Sequence, residues 1–129
     1  MTIGEAIFLL WIGHCAKAMD IPPARAQAVA IIETKKDNKL IRTGKLGNTK
    51  LYGPMGLNKD CFKKQDYNLL INPFYNSLIG VIALKGKDTN EVLKHYNPKA
   101  DSNYLRQVKK LENQINKHGI FSIKIMRKK

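Results

Sequence analysis

The sequence predicts a predominantly helical α+β fold with one small β-hairpin, and three observations lead there. Apolar residues recur at helical spacing after Asn72-Pro73 and again after Asp101-Ser102. A proline pair, glycines and capping residues divide the rest of the chain into helix-sized segments. The strand signal is confined to short apolar pairs inside one polar stretch. The chain has 129 residues, the size of one ordinary domain, and we read residues 1–129 as a single unit.

The first helix is expected over about residues 4–19. Ile7-Phe8-Leu9-Leu10-Trp11-Ile12-Gly13 and Ala16-Lys17-Ala18 have the form of a secretion signal with its cleavage site. The residues before them hold no Lys or Arg and one acid, Glu5, while His14 and Lys17 interrupt the apolar run. That balance favours a helix. Asp20-Ile21-Pro22-Pro23 stops it, and a second helix runs from Ala24 to about Thr34 with proline at its first turn. The polar segment from Lys35 to Tyr52 contains Leu40-Ile41, Leu46 and Leu51, the pieces of the small hairpin. Tyr52 to Asn58 is dense in turn-formers yet apolar, as a structured loop is. The helix after Asn72-Pro73, with Phe74, Leu78 and Val81 as core residues, is expected at the buried centre. Asp88-Thr89-Asn90-Glu91 opens a short helix ending near His95. Asp101-Ser102 caps a longer one, with Tyr104, Leu105, Val108, Leu111 and Ile115 on one face, ending at Gly119. The tail from Ile120 onward reads as extended or a short strand.

Composition narrows the partners. Lys and Arg total 23 against 10 acids, a net charge of +13, which favours an anionic partner such as nucleic acid, an acidic membrane surface or cell wall. The cations are spread along the chain without zinc-finger or aromatic RNA-binding patterns, which argues against nucleic acid. No stretch approaches a membrane-spanning length. Cys15 and Cys61 allow one bridge or two thiols. His14, His95 and His118 lack metal-ligand spacing, and no phosphate-cradling glycine loop is present, so neither metal nor cofactor is expected.

Among the acids Glu33 stands apart, because the unbroken run Ala28-Val29-Ala30-Ile31-Ile32 precedes it. A carboxyl among apolar neighbours is costly to ionise, so it can hold a proton to donate near neutral pH. A helix end reaching solvent is the competing reading. Asp20, Asp60, Asp66, Asp88 and Asp101 sit at turns or helix starts, and Glu5, Glu91 and Glu112 have polar company. Asp37, the nearby acid that could complete a glycosidase pair, has polar neighbours and reads as solvated.

Four blocks in order resemble the soluble, goose-lysozyme-like lytic transglycosylases, above all the small members serving secretion and conjugation machines. They are Ile31-Ile32-Glu33-Thr34, Gly53-Pro54-Met55-Gly56-Leu57-Asn58, Asn72-Pro73-Phe74-Tyr75-Asn76-Ser77-Leu78-Ile79-Gly80, and Tyr96-Asn97 followed by a helix bearing Tyr104. The resemblance covers about residues 12–115 and implies a lysozyme-like fold and a periplasmic or cell-envelope setting. It implies cleavage of peptidoglycan between N-acetylmuramic acid and N-acetylglucosamine with a 1,6-anhydro product, and Glu33 as the single acid/base. Thr34, Gly53, Met55, Gly56, Asn58, Tyr96, Asn97 and Tyr104 would line the sugar site, with Asn76 as a cap or brace. The implied partners are glycan strands and components of secretion or conjugation machinery. Thr34 keeps the hydroxyl of the family's serine, Pro98 follows Tyr96-Asn97 where small residues are usual, and Gly56 stands where the family carries glutamine. Loss of that amide keeps two alternatives open: a muramidase that hydrolyses the same bond, and a wall-binding or assembly module without catalysis.

Overall fold

In the computed structural model the described residues are 1–34, 40–41, 51–55, 57–58, 67–96 and 100–123, with Leu51, Tyr52, Asn58 and His95 described by backbone alone. They are predominantly helical. The six α-helices among them are α1 (Ile3–Ala18), α2 (Pro23–Thr34), α3 (Tyr67–Ile71), α4 (Pro73–Ile82), α5 (Thr89–Tyr96) and α6 (Ser102–His118).

The centre of the fold is α2. Every residue from Ala24 to Thr34 is buried, and the helix packs against α1 on one side and α6 on the other. Small alanines at 24, 26, 28 and 30 let both neighbours approach closely, while Val29, Ile31 and Ile32 fill the space between. Pro23 takes the first helical position, where its missing N–H would have no partner in any case. The expectation that the helix after Asn72-Pro73 forms the buried centre is therefore corrected. α4 leans on α1 and leaves Phe74, Tyr75 and Ile82 exposed and Leu78 half-exposed, with Val81 fully buried. Its inward face is built from Asn76, Ser77, Gly80 and Val81, residues chosen for close approach and hydrogen bonding.

Helix ends follow the capping signals. Thr2 and Glu5 close a reciprocal capping box on α1: the Glu5 N–H donates to Thr2 Oγ1 at 3.1 Å and the Thr2 N–H to Glu5 Oε1 at 3.0 Å. Glu5 is buried there, contrary to its reading as a helix acid in polar company. Asn72 caps α4 by accepting from the Phe74 and Tyr75 N–H groups, and Asp101 caps α6 by accepting from the Tyr104 N–H at 2.8 Å. Asp20 takes a left-handed φ of 59° at the turn before α2. Gly119, at φ +78°, ends α6. The chain then curls into a 3₁₀ turn, Ile120–Ser122, rather than the extended tail expected, because Ile120 and Ile123 both tuck into the core. Residues 124–129 lie outside the described set.

Two further differences concern short segments. α3 has only five residues, too few to display a helical period, and Leu70 is its sole buried anchor. The β element is a two-stranded antiparallel pair, β1 (Leu51–Tyr52) with β2 (Leu57–Asn58), in the register Leu51 to Asn58 and Tyr52 to Leu57. Leu40 and Ile41, expected in the hairpin, form a bend with Leu40 in the core; Leu46 lies outside the described residues.

A buried cation joins distant parts of the chain. Arg25, in the first turn of α2, donates through Nη1 to the carbonyls of Leu84 (2.9 Å) and Gly86 (2.8 Å), and through Nη2 to Thr89 Oγ1 (3.0 Å). It thereby fixes the connection between α4 and α5 against the start of the central helix. Gln27, also buried, donates to the Leu9 carbonyl at 2.9 Å and ties α2 to α1.

Candidate active site

Glu33 sits in the last turn of α2 with 2% of its surface exposed. The apolar run before it is the inward wall of the central helix, so the carboxyl is carried into the interior by the packing of its own helix. Thr34, fully buried, donates its hydroxyl back to the Ala30 carbonyl at 3.0 Å, filling an acceptor at the helix end.

Two tyrosines from separate helices lie within electrostatic reach of this carboxyl. Tyr96 ends α5 and Tyr104 lies in the first turn of α6, whose contact with α2 is the most extensive in the fold. Burial, first, and the Glu33 carboxylate, second, hold the Tyr96 phenol well above its ordinary range; Tyr104 adds a smaller push. Burial and then Glu33 raise the Tyr104 phenol likewise. Both shifts have one physical origin: a phenolate here would be poorly hydrated and would face negative charge. The two side chains therefore stay neutral through the physiological range. Their hydroxyls are used differently. Tyr96 donates to the Met55 carbonyl. The Tyr104 hydroxyl is buried and makes no hydrogen bond among the described residues.

The Gly53–Met55 turn completes the arrangement, and Asn76 of α4 holds it. The Asn76 side chain accepts from the Met55 N–H at 3.3 Å and donates to the Leu70 carbonyl at 3.0 Å. Gly53, at φ +72°, packs so closely on that amide that a Cβ there would lie 2.1 Å from Asn76 Cγ. Met55 is fully buried, and a Cβ on Gly80 would fall 2.5 Å from the Met55 Cβ. α4 thus braces the turn, the turn's carbonyl receives Tyr96, and Tyr96 lies within electrostatic reach of Glu33.

Of the residues singled out in the sequence, Glu33, Thr34, Met55, Tyr96 and Tyr104 belong to this arrangement, with Gly53 at its supporting edge. Asn58 is in β2, with its backbone alone described, and Gly56, Asn97 and Asp37 lie outside the described residues. Gly80 had no role assigned from sequence; its position four residues after Asn76 on the same helix face is the signal that pairs them. Cys15 is a buried free thiol whose pKa burial pushes up; Cys61 is outside the described set. Among the described residues no three His, Cys, Asp or Glu side chains come together as metal ligands. Comparison with models of known protein families, with characterised proteins and with solved structures finds no match.

Proposed function

We propose that the protein is a lytic transglycosylase with a lysozyme-like fold, cleaving the bond between N-acetylmuramic acid and N-acetylglucosamine in peptidoglycan. The observation that supports this reading best is Glu33, a buried carboxyl at the end of a helix buried from Ala24 onward, within electrostatic reach of two phenols that hold their protons. Desolvation favours the protonated carboxyl, the form a general acid needs. In the first step Glu33 donates its proton to the glycosidic oxygen, and the bond from that oxygen to the muramic C1 breaks. In the second, the resulting carboxylate takes the proton from the muramic C6 hydroxyl as that oxygen bonds to C1. The product carries a 1,6-anhydro ring and Glu33 regains its proton, so the sugar supplies the nucleophile and no second carboxylate is required. Tyr96 and Tyr104 keep neutral dipoles beside the developing charge, and the braced Gly53–Met55 turn shapes the floor. The surplus of cations gathers the enzyme on stem-peptide carboxylates in the cell envelope.

Mass spectrometry of purified peptidoglycan after digestion tests the reading. Anhydro ends, lacking the added water, are expected, and Glu33→Gln should slow their formation by about 10²–10⁴-fold. Hydrated ends alone would make the protein a muramidase. Intact strands with both proteins would leave the binding or assembly module motivated by Gly56.

A further inference from the structure

We propose that the outer face of α1, together with exposed Phe121 of the 3₁₀ turn packed on that helix, docks on an anionic lipid bilayer, with the protein lying on the surface. This inference is independent of the glycan chemistry. The exposed residues Ile3, Ile7, Leu10, His14 and Lys17 are spaced by four, three, four and three positions, which aligns them along one side of the helix. The first three are 81%, 60% and 52% exposed, an unusual exposure for large aliphatic side chains on successive turns. The sole acid of the helix, Glu5, is buried in the capping box, so the exposed line passes from apolar to basic without a negative charge. The 3₁₀ turn packs against α1 and presents Phe121 at 76% exposure. Lys117 and His118 in the last turn of α6 precede it, and Lys124, Arg127, Lys128 and Lys129 follow it in sequence.

Charge decides what covers this face. A second copy would bring +13 against +13, whereas a layer of anionic headgroups attracts the cations and offers its acyl boundary to the apolar side chains. The opposite side of α1 is occupied by the core, and no helix among the described residues is long and apolar enough to cross a membrane. An apolar stripe with a basic end fits the interfacial mode.

Flotation of the full chain with vesicles of phosphatidylglycerol, compared with phosphatidylcholine, tests the proposal. Trp11, the single tryptophan, sits half-buried on α1, and its emission reports docking independently. The wild type should float with the anionic vesicles, keep part of its binding at high salt, and blue-shift. The variant Ile3→Ser/Ile7→Ser/Leu10→Ser should lose at least about tenfold in partitioning, since interfacial binding scales with buried apolar area. Its circular dichroism should stay helical; if it does not, Leu10→Ser/Phe121→Ser serves in its place. Absence of flotation, or flotation unchanged by the variants, overturns the proposal. So does light scattering that finds a wild-type dimer and a monomeric variant, because the face would then belong to a second copy.

Discussion

Tyr96 and Tyr104 bring the same group to the same carboxyl, yet their hydroxyls end in opposite circumstances. Removing the Tyr96 hydroxyl strips the Met55 carbonyl of its donor, so Tyr96→Phe should destabilise by about 1–3 kcal/mol. Tyr104→Phe removes a buried hydroxyl that makes no hydrogen bond among the described residues, and should be neutral or stabilising by up to about 1 kcal/mol. Urea unfolding of both variants checks the contrast, and the reverse order would show that Tyr104 is the paired group. At this scale Glu33 was legible because five apolar residues in a row point a helix end inward. Tyr104 was not: an apolar ring ending in a hydroxyl suits a core face and a site equally well, and only the position of α6 against α2 separates them. The burial of Glu5 was equally hidden, because a capping box needs Thr2 as well as the acid, and neither residue is apolar.

α4 carries two asparagines with unlike duties, and its own packing explains both. Asn72 caps an exposed helix end, whereas Asn76 is fully buried and bonds to Met55 and Leu70. Asn72→Ala should cost about 1 kcal/mol, the usual loss of a cap. Asn76→Ala should cost more, about 2–4 kcal/mol, since it orphans a buried N–H and a buried carbonyl together. Chemical denaturation measures both, and equal losses would mean that Asn76 does not brace the Gly53–Met55 turn. α6 was readable from its cap and periodicity, and α2 from the proline pair that opens it. α4 was misplaced because periodicity counts apolar residues without showing which neighbour a helix leans on. Apart from Val81 its tight face is polar or small, so most of the hydrophobic signal points to the side that the fold leaves partly or fully exposed.

Alkaline stability belongs to the whole molecule, because releasing the buried phenols requires the helices around them to part. Tyr96 and Tyr104 hold their protons above the ordinary tyrosine value of 10.0. From about pH 10 upward the unfolded chain therefore binds fewer protons than the folded one, and stability falls as pH rises. Below that point both states hold these protons, and the two tyrosines contribute no pH dependence. Tyrosinate absorbance recorded with far-ultraviolet circular dichroism should show Tyr96 and Tyr104 ionising only as helicity collapses. Complete ionisation within an intact helical signal would contradict the site geometry. Fold class was legible at this scale because caps and periods are local. The joining of α2 to α6 was not, since those helices are far apart in sequence and no local signal pairs them. Arg25 adds a constraint on motion. Because its guanidinium clamps the Leu84 and Gly86 carbonyls and Thr89, the first turn of α5 is anchored to the helix that ends in Glu33. Any swing of α5 that makes room above the acid must pivot at that anchor, with its far end, Tyr96, travelling the greatest distance.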